Sequence, residues 1–135
     1  LIMQNKAVLF KQHARLLFIV LANFFASILH YVHNIMYFEH YPEPDWLAAN
    51  VVDYFWFIMT FVGLYALLCL AKQRIKHAIW LLYLYAAMNM LSVLHYAVDS
   101  DNVMTTAMHV LIWLETVVAI WLIIFVAKTR LATTN

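Results

Sequence analysis

The chain is built from long apolar runs separated by short polar segments. Four such runs cover about residues 16–36, 47–70, 78–98 and 103–126. Each is close to the ~20 residues that an α-helix needs to cross the ~30 Å hydrocarbon core of a bilayer. The runs lack the strict alternation of half-buried strands, and a helix satisfies its own backbone groups in lipid. The pattern predicts an all-α integral membrane protein with four transmembrane helices.

The polar segments predict how these helices connect. The first connection, FEHYPEPDW (38–46), holds both prolines of the chain, which prevent the helix from continuing. KQRIKH (72–77) and DSDN (99–102) form the other two connections. Because short connections place consecutive helices side by side in opposite directions, we expect an antiparallel four-helix bundle that forms a single domain, residues 1–135. No small-residue cleavage site follows the first run, so we expect it to be retained and not removed as a signal peptide.

Composition supports a membrane location. Hydrophobic residues make up 67% of the chain and charged residues 11%, whereas a soluble domain is about half apolar and about a quarter charged. This excess of apolar surface requires lipid as the surrounding solvent. The single cysteine, Cys69, excludes an intrachain disulfide and a CxxC motif.

The charged residues are distributed unevenly between the two ends of the predicted bundle. Basic residues precede the first run, follow the last, or lie between the second and third: Lys6, Lys11, Arg15, Lys72, Arg74, Lys76, Lys128 and Arg130. The other two connections carry acidic residues and no Lys or Arg. The positive-inside rule therefore predicts cytoplasmic termini and extracytoplasmic acidic loops. The basic residues are interpreted as anchors for lipid headgroups and not as a nucleic-acid surface.

Two stretches nearly repeat each other, SILHYVHN (27–34) and SVLHYAVD (92–99). The ends of the second and fourth runs, LLCLAK (67–72) and IIFVAK (123–128), are also similar. These similarities are consistent with two weakly repeated helical hairpins, although apolar sequences also align by chance.

Ligand-type side chains recur at one predicted depth. Counting ~1.5 Å of rise per residue places one from each helix about 5–9 Å below the outer surface: His30, Asp53, His95 and His109. Exposing the charged form of such a side chain to lipid costs ~2.5–3.5 kcal/mol, so we expect all four to face the bundle interior. Three imidazoles and one carboxylate suit zinc, copper or iron, and these four residues are the predicted metal ligands. Polar residues nearer the surface would form the mouth of this site: His33, Glu39, His40 and Asp99.

A simpler interpretation stays open for each of these residues. Tyrosines such as Tyr31 and Tyr96 can supply hydrogen-bond partners across helices, and His30 can bond Asp53 directly. Glu115 is predicted ~18 Å below the surface, where an acid must be protonated or hydrogen-bonded. Glu115 either continues a proton or ligand relay inward from the histidine layer, or makes a local hydrogen bond to Asn89 or a threonine. Glu115 and Ser27 are the candidate catalytic residues.

Two resemblances suggest enzyme or ligand-binding classes. Ser27 beside three histidines and an aspartate resembles the membrane-embedded ceramidase-like hydrolases, which implies a zinc-bound water acting on a lipid ester or amide. Those proteins have seven helices and an HxxxH pair, which this chain lacks. The motif EPDW (43–46) followed by Asp53 resembles the EXPERA membrane proteins, such as sterol isomerases and the sigma-2 receptor. That resemblance implies four helices and a lipid or sterol ligand, but the intramembrane prolines of those proteins are missing here.

Two further classes stay open. A b-type haem would use His30 with His95 or His109 as axial ligands, but close helix packing around haem favours small residues and the chain has one glycine, Gly63. Alternatively, the chain is a non-catalytic subunit of a larger membrane redox or pigment complex, or a homo-oligomer. The sequence contains no P-loop or dinucleotide fingerprint, so enzymatic activity is left open.

Overall fold

The computed structural model describes the backbone of residues 2–129 and the side chains from residue 11 onward. It contains four α-helices: α1 (Ile2–Met36), α2 (Ala49–Ala71), α3 (Ile75–Met90) and α4 (Thr106–Lys128). A 3₁₀ turn, Phe38–His40, follows α1, and a 3₁₀ segment, Leu91–Ala97, continues α3. No strand occurs within residues 2–129. The prediction of an all-α chain with four long helices is confirmed, while the side chains of Lys6 and Arg130 lie outside the described residues.

Each helical segment is long and apolar enough to cross a membrane. The four candidate spans are Lys11–Met36, Ala49–Ala71, Ile75–Ala97 and Thr106–Lys128. Large apolar side chains on these helices point outward, for example Phe18, Phe61 and Trp80, each more than 60% exposed. Such a surface is stable in contact with lipid and unfavourable in water.

The ends of the helices differ from the predicted apolar runs for local reasons. α1 begins at Ile2, ahead of its apolar run, because no proline or glycine in residues 2–36 interrupts it. At the end of α3 the helix tightens into the 3₁₀ segment. There Asn89 Nδ2 donates to the carbonyl oxygen of Tyr85 at 2.8 Å, and Ser92 Oγ donates to the carbonyl oxygen of Asn89 at 3.0 Å. Such side-chain bonds to the backbone compete with the regular helical ladder.

The helices pack chiefly as the pairs α1–α4, α2–α3 and α3–α4, whereas α1 and α2 touch over a smaller area. Along the first pair, Phe18 contacts Trp121, Asn23 bonds the Val118 carbonyl, and His30 bonds Glu115. Moving along this contact in the direction in which residue numbers increase in α1, the residue numbers in α4 therefore decrease.

The two halves of the molecule differ in what they bury. We call the half next to the α2–α3 turn the basic half, since Lys72, Arg74 and Lys76 lie there. Its core is apolar and includes Leu16, Val20, Ala66, Ala78, Leu82 and Leu122, all at most 1% exposed. The opposite half, next to the α1–α2 and α3–α4 connections, we call the acidic half. Buried polar residues concentrate there, and this half holds the candidate site.

Candidate functional site

A buried pair of ionisable side chains joins α1 to α4 in the acidic half. His30 Nδ1 and Glu115 Oε2 are 2.5 Å apart, and the two residues are only 6% and 5% exposed. Removing one member of such a pair leaves the other buried without its partner, which is strongly destabilising. The two residues therefore act as one structural unit.

The depth count from the sequence placed Glu115 well below His30, and the structure brings them into contact. Every Cα–Cβ bond in a helix leans toward the helix N-terminus. Because residue numbers run oppositely along α1 and α4, the His30 side chain leans toward the basic half and the Glu115 side chain leans toward the acidic half. Counting rise per residue for Cα atoms misses this convergence, so the prediction of two separate levels was wrong for this pair.

A second polar group lies beside this pair and uses the α1–α2 connection. His95 Nδ1 lies 3.2 Å from the carbonyl oxygen of Pro42 and 3.4 Å from Glu43 Oε1. Asn34 Nδ2 donates to the same carboxyl oxygen at 2.9 Å. The His95 ring also stands edge-on to the His30 ring, with 5.4 Å between centroids. Two of the four predicted metal ligands, His30 and His95, are thus neighbours.

Tyr41 fills the space between these histidines and is 1% exposed. Its ring centroid lies 5.0 Å from that of His95 and 5.8 Å from that of His30. Burial is the main reason that the pKa of Tyr41 rises above its ordinary value, and the carboxyl groups of Glu43 and Glu115 raise it further. The phenol is therefore neutral and serves as a packing and hydrogen-bonding group.

The predicted mouth residues are divided between this connection and the surface. His33 Nδ1 lies 2.9 Å from the Tyr41 hydroxyl, so it belongs to the packed connection. Glu39, His40 and Asp99 are exposed. Asn102, from the α3–α4 connection, donates to the carbonyl oxygens of Glu39 and Tyr41 at 3.1 and 3.0 Å and fixes the first connection in place.

The other two predicted metal ligands lie elsewhere. Asp53 accepts a hydrogen bond from the Tyr31 hydroxyl. His109 Nδ1 lies 2.7 Å from the Tyr96 hydroxyl, and the two rings are stacked. These are the tyrosine partners that the simpler interpretation anticipated.

The geometry of α4 explains why His109 and Glu115 cannot both face α1. They are six residues apart, which turns them by about 120° around the helix. Among the described side chains, no group of three or more His, Cys, Asp or Glu residues is arranged to hold a metal ion. Metal binding through all four predicted ligands stays a prediction.

A cavity of about 360 Å³ opens beside the His30–Glu115 pair. Residues of α1, the first connection, α2, α3 and the 3₁₀ segment line it, together with Glu115 of α4. Most of its surface is apolar, from side chains such as Val51, Val52, Phe55, Met59, Met88 and Leu91. The polar side chains on its walls include Ser27, His30, Asn34, Asn89, Ser92 and Glu115.

Both candidate catalytic residues border this cavity, with different surroundings. Ser27 Oγ accepts a hydrogen bond from Trp56 Nε1 at 3.0 Å. A nucleophilic serine needs an adjacent base, and the described hydrogen bonds give Ser27 Oγ no histidine or carboxylate partner. Glu115 bonds to His30, a member of the histidine layer, and its role as a relay stays a prediction.

Sequence reasoning missed the contribution of the first connection. Tyr41 and Glu43 of this connection complete the polar group around His95, and Trp56 of α2 closes the wall at Ser27. The two prolines were the available signal, because they fix the path of a short connection and so bring Tyr41 and Glu43 back over the helices. Comparison with protein-family models, curated proteins and solved structures finds no match to this chain.

Proposed function

We propose that this chain is an integral membrane protein whose four helices form an antiparallel bundle across a bilayer. The support comes from four helices of sufficient length and apolarity and from their outward-facing apolar side chains. At ~1.5 Å per residue, the 23 residues of α2 exceed the ~30 Å thickness of the hydrocarbon core. The distribution of Lys and Arg supports cytoplasmic termini and extracytoplasmic acidic loops.

Within that bundle, the cavity of the acidic half binds an apolar, uncharged molecule drawn from the membrane. The observation that carries this proposal is the mostly apolar cavity of about 360 Å³. Ligand sites have volumes of about 300–1,000 Å³ and combine apolar walls with a few polar groups that orient the ligand. A lipid-like molecule fits both properties, because its body matches the walls and its polar end meets the His30–Glu115 side.

Access from the bilayer fits the position of the cavity. Several lining residues of α2 and of the 3₁₀ segment are also exposed, among them Val51, Phe55 and Leu94. A ligand dissolved in the lipid would pass between these two elements without crossing water.

Lipid retention tests this proposal. The protein is purified in detergent and extracted with organic solvent, and the retained molecules are identified by mass spectrometry. Val52→Trp places a large side chain on the cavity wall, whereas Val117→Trp makes the same change at an exposed position of α4 outside the cavity. We expect Val52→Trp to lose the retained molecule and Val117→Trp to keep it. Equal retention by both folded variants would reject the cavity as the binding site.

Transition-metal binding is a second proposal, favoured by the closeness of His30 and His95 and by a carboxyl oxygen 3.4 Å from His95 Nδ1. Metal content is measured in the purified protein and in four alanine variants. A site formed around the two neighbouring histidines requires that His30→Ala and His95→Ala lose metal while Asp53→Ala and His109→Ala retain it. Loss of metal in all four variants would instead support the four-ligand site. An absence of metal in every preparation counts against both arrangements.

A further inference from the structure

We propose that the ligand of the cavity carries a hydroxyl group, and this inference rests on the proposed function of the cavity. The starting observation is a set of buried polar atoms that have no hydrogen-bond partner among the described residues: Asn23 Oδ1, His30 Nε2, Asn34 Oδ1, Tyr85 O–H and Asn89 Oδ1. Three of these atoms, on His30, Asn34 and Asn89, belong to residues that line the cavity. A ligand that supplies partners to them removes an existing energetic cost.

For Asn34 and Asn89, the hydrogen bond made by the side-chain nitrogen identifies which side-chain atom lacks a partner. Asn89 Nδ2 donates to the carbonyl oxygen of Tyr85 at 2.8 Å, and Asn34 Nδ2 donates to Glu43 Oε1 at 2.9 Å. A carbonyl oxygen can accept a hydrogen bond but cannot donate one, and the same is true of an ionised carboxylate. Exchanging the amide nitrogen and oxygen of Asn89 would therefore break its bond to the Tyr85 carbonyl, and in both residues the unpartnered atom is the amide oxygen. Two residues that line the cavity therefore each have a buried amide oxygen without a donor.

His30 adds a ring nitrogen, Nε2, that can either donate or accept a hydrogen bond. Its Nδ1 is committed to Glu115 Oε2 at 2.5 Å, which leaves Nε2 for the ligand. With a hydrogen on Nδ1 alone, Nε2 accepts a hydrogen bond, whereas a protonated imidazole, or one bonded by a neutral Glu115, donates from Nε2. A hydroxyl group is compatible with every one of these states, because it both donates and accepts.

An ammonium group also donates, but the surrounding charges favour a neutral ligand. Glu115 is bonded to His30, and Glu43 is bonded to Asn34 and lies 3.4 Å from His95 Nδ1. Neither carboxyl group is left alone to offset a buried cation, and most of the remaining wall is apolar. Burying an unpaired charge costs far more than burying a hydroxyl. The structure therefore assigns the site to an uncharged, mainly apolar molecule with a hydroxyl at the end facing His30, Asn34 and Asn89.

A matched series of ligands tests the hydroxyl directly on a full chain whose cavity residues are unchanged. The probes are a brominated long-chain alcohol, its methyl ether and the corresponding amine, which share one apolar body. Bromine quenches tryptophan fluorescence, so the protein retains Trp46 and Trp56, which both line the cavity, and carries phenylalanine in place of its other three tryptophans: Trp80, Trp113 and Trp121. We expect saturable quenching in which the alcohol binds about tenfold more tightly than the ether, as one satisfied buried donor–acceptor pair would give.

Two asparagine variants test which residue causes the preference for the alcohol over the ether. Asn89→Leu removes an unpartnered oxygen at the cavity, and we expect the alcohol and the ether to bind with similar affinity. Asn23→Leu makes the same change at a buried asparagine whose oxygen is also unpartnered but which does not line the cavity, so the preference should persist. Both variants lose bonds to backbone carbonyls, and therefore a general loss of stability affects both.

The outcomes separate this inference from the proposed function. Equal affinity for alcohol and ether in the unaltered site overturns the hydroxyl and keeps the apolar ligand, with water serving the asparagine oxygens. Tightest binding by the amine overturns it in favour of a cationic ligand. Saturable quenching by none of the three probes removes the proposed function as well. Because the ligand series needs none of the asparagine substitutions, the test stands even when Asn89→Leu fails to fold.

Discussion

The basic and acidic halves of this bundle share the same four helices but are held together in different ways. In the basic half, apolar side chains such as Leu16, Leu82 and Leu122 form a buried cluster. In the acidic half, hydrogen bonds such as His30–Glu115 and Asn34–Glu43 connect the elements around an open cavity. The basic half has an apolar core, whereas the acidic half has buried polar groups beside a mostly apolar cavity.

The difference follows from lipid as the proposed solvent. Moving a leucine from lipid into the bundle gains little hydrophobic free energy, so the basic half depends on close packing and dispersion. Polar side chains gain more free energy than leucine when they move from lipid into the bundle, because exposure to hydrocarbon leaves them without hydrogen-bond partners. The acidic half can therefore tolerate a cavity, since its hydrogen bonds hold the helices apart at fixed positions. Four substitutions test this contrast.

The largest effect is expected at the His30–Glu115 pair. His30→Leu leaves Glu115 buried without a partner and should lower the free energy of unfolding by about 3–5 kcal/mol. The double variant with Glu115→Leu removes both groups and should recover most of that loss. Reversible unfolding in mixed micelles measures both values. A double variant as unstable as the sum of the two single variants would show that the pair does not act as one unit.

Close packing in the basic half gives the next largest effect. A Cβ atom added at Gly63 would lie 2.9 Å from Phe24 Cζ and 3.0 Å from Tyr85 Cε2. Gly63→Leu should therefore cost about 1–3 kcal/mol through overpacking. Ala127→Leu, at an exposed position of α4, serves as the control in the same unfolding assay. An unchanged midpoint for Gly63→Leu would mean that the basic half is as loosely packed as the acidic half.

A smaller effect is expected at the connections. Asn102→Ala removes two hydrogen bonds to the α1–α2 connection and should destabilise that segment by about 1 kcal/mol. Hydrogen exchange of residues 37–48, followed by mass spectrometry, should become faster there and stay unchanged in α3. Asn50→Ala, at an exposed position of α2, is the matched control. Equal exchange in both variants would contradict the anchoring role of Asn102.

The smallest effect is expected at His109, which is stacked on an exposed tyrosine. His109→Ala should change the free energy of unfolding by no more than about 0.5 kcal/mol, as for most surface substitutions. Ligand retention should be unchanged, in contrast to His30→Leu. A loss comparable to that of His30→Leu would place His109 in the same polar group as His30 after all.

The number and placement of the helices were predictable because they depend on local properties. The length of the apolar runs indicates which segments form helices long enough to cross a bilayer. The two prolines of the first connection indicate that α1 and α2 are separate helices. Charge distribution, too, is a property of the sequence alone. The polar residues of the acidic half were recognised as important for the same reason, since an apolar chain seldom carries His30, Glu115 or Asn89 without a partner for them.

Which partner each polar residue takes was decided only by the tertiary structure. The rotation of α4 brings Glu115 toward α1 and turns His109 away, and opposite side-chain leans close the distance between His30 and Glu115. The change to 3₁₀ geometry at Leu91 and the path of the first connection place His95 and Glu43 on the wall of one cavity, with Tyr41 packed against His95. Helix rotation, tilt and loop path depend on all contacts at once, so neither spacing nor depth along a single helix could specify them.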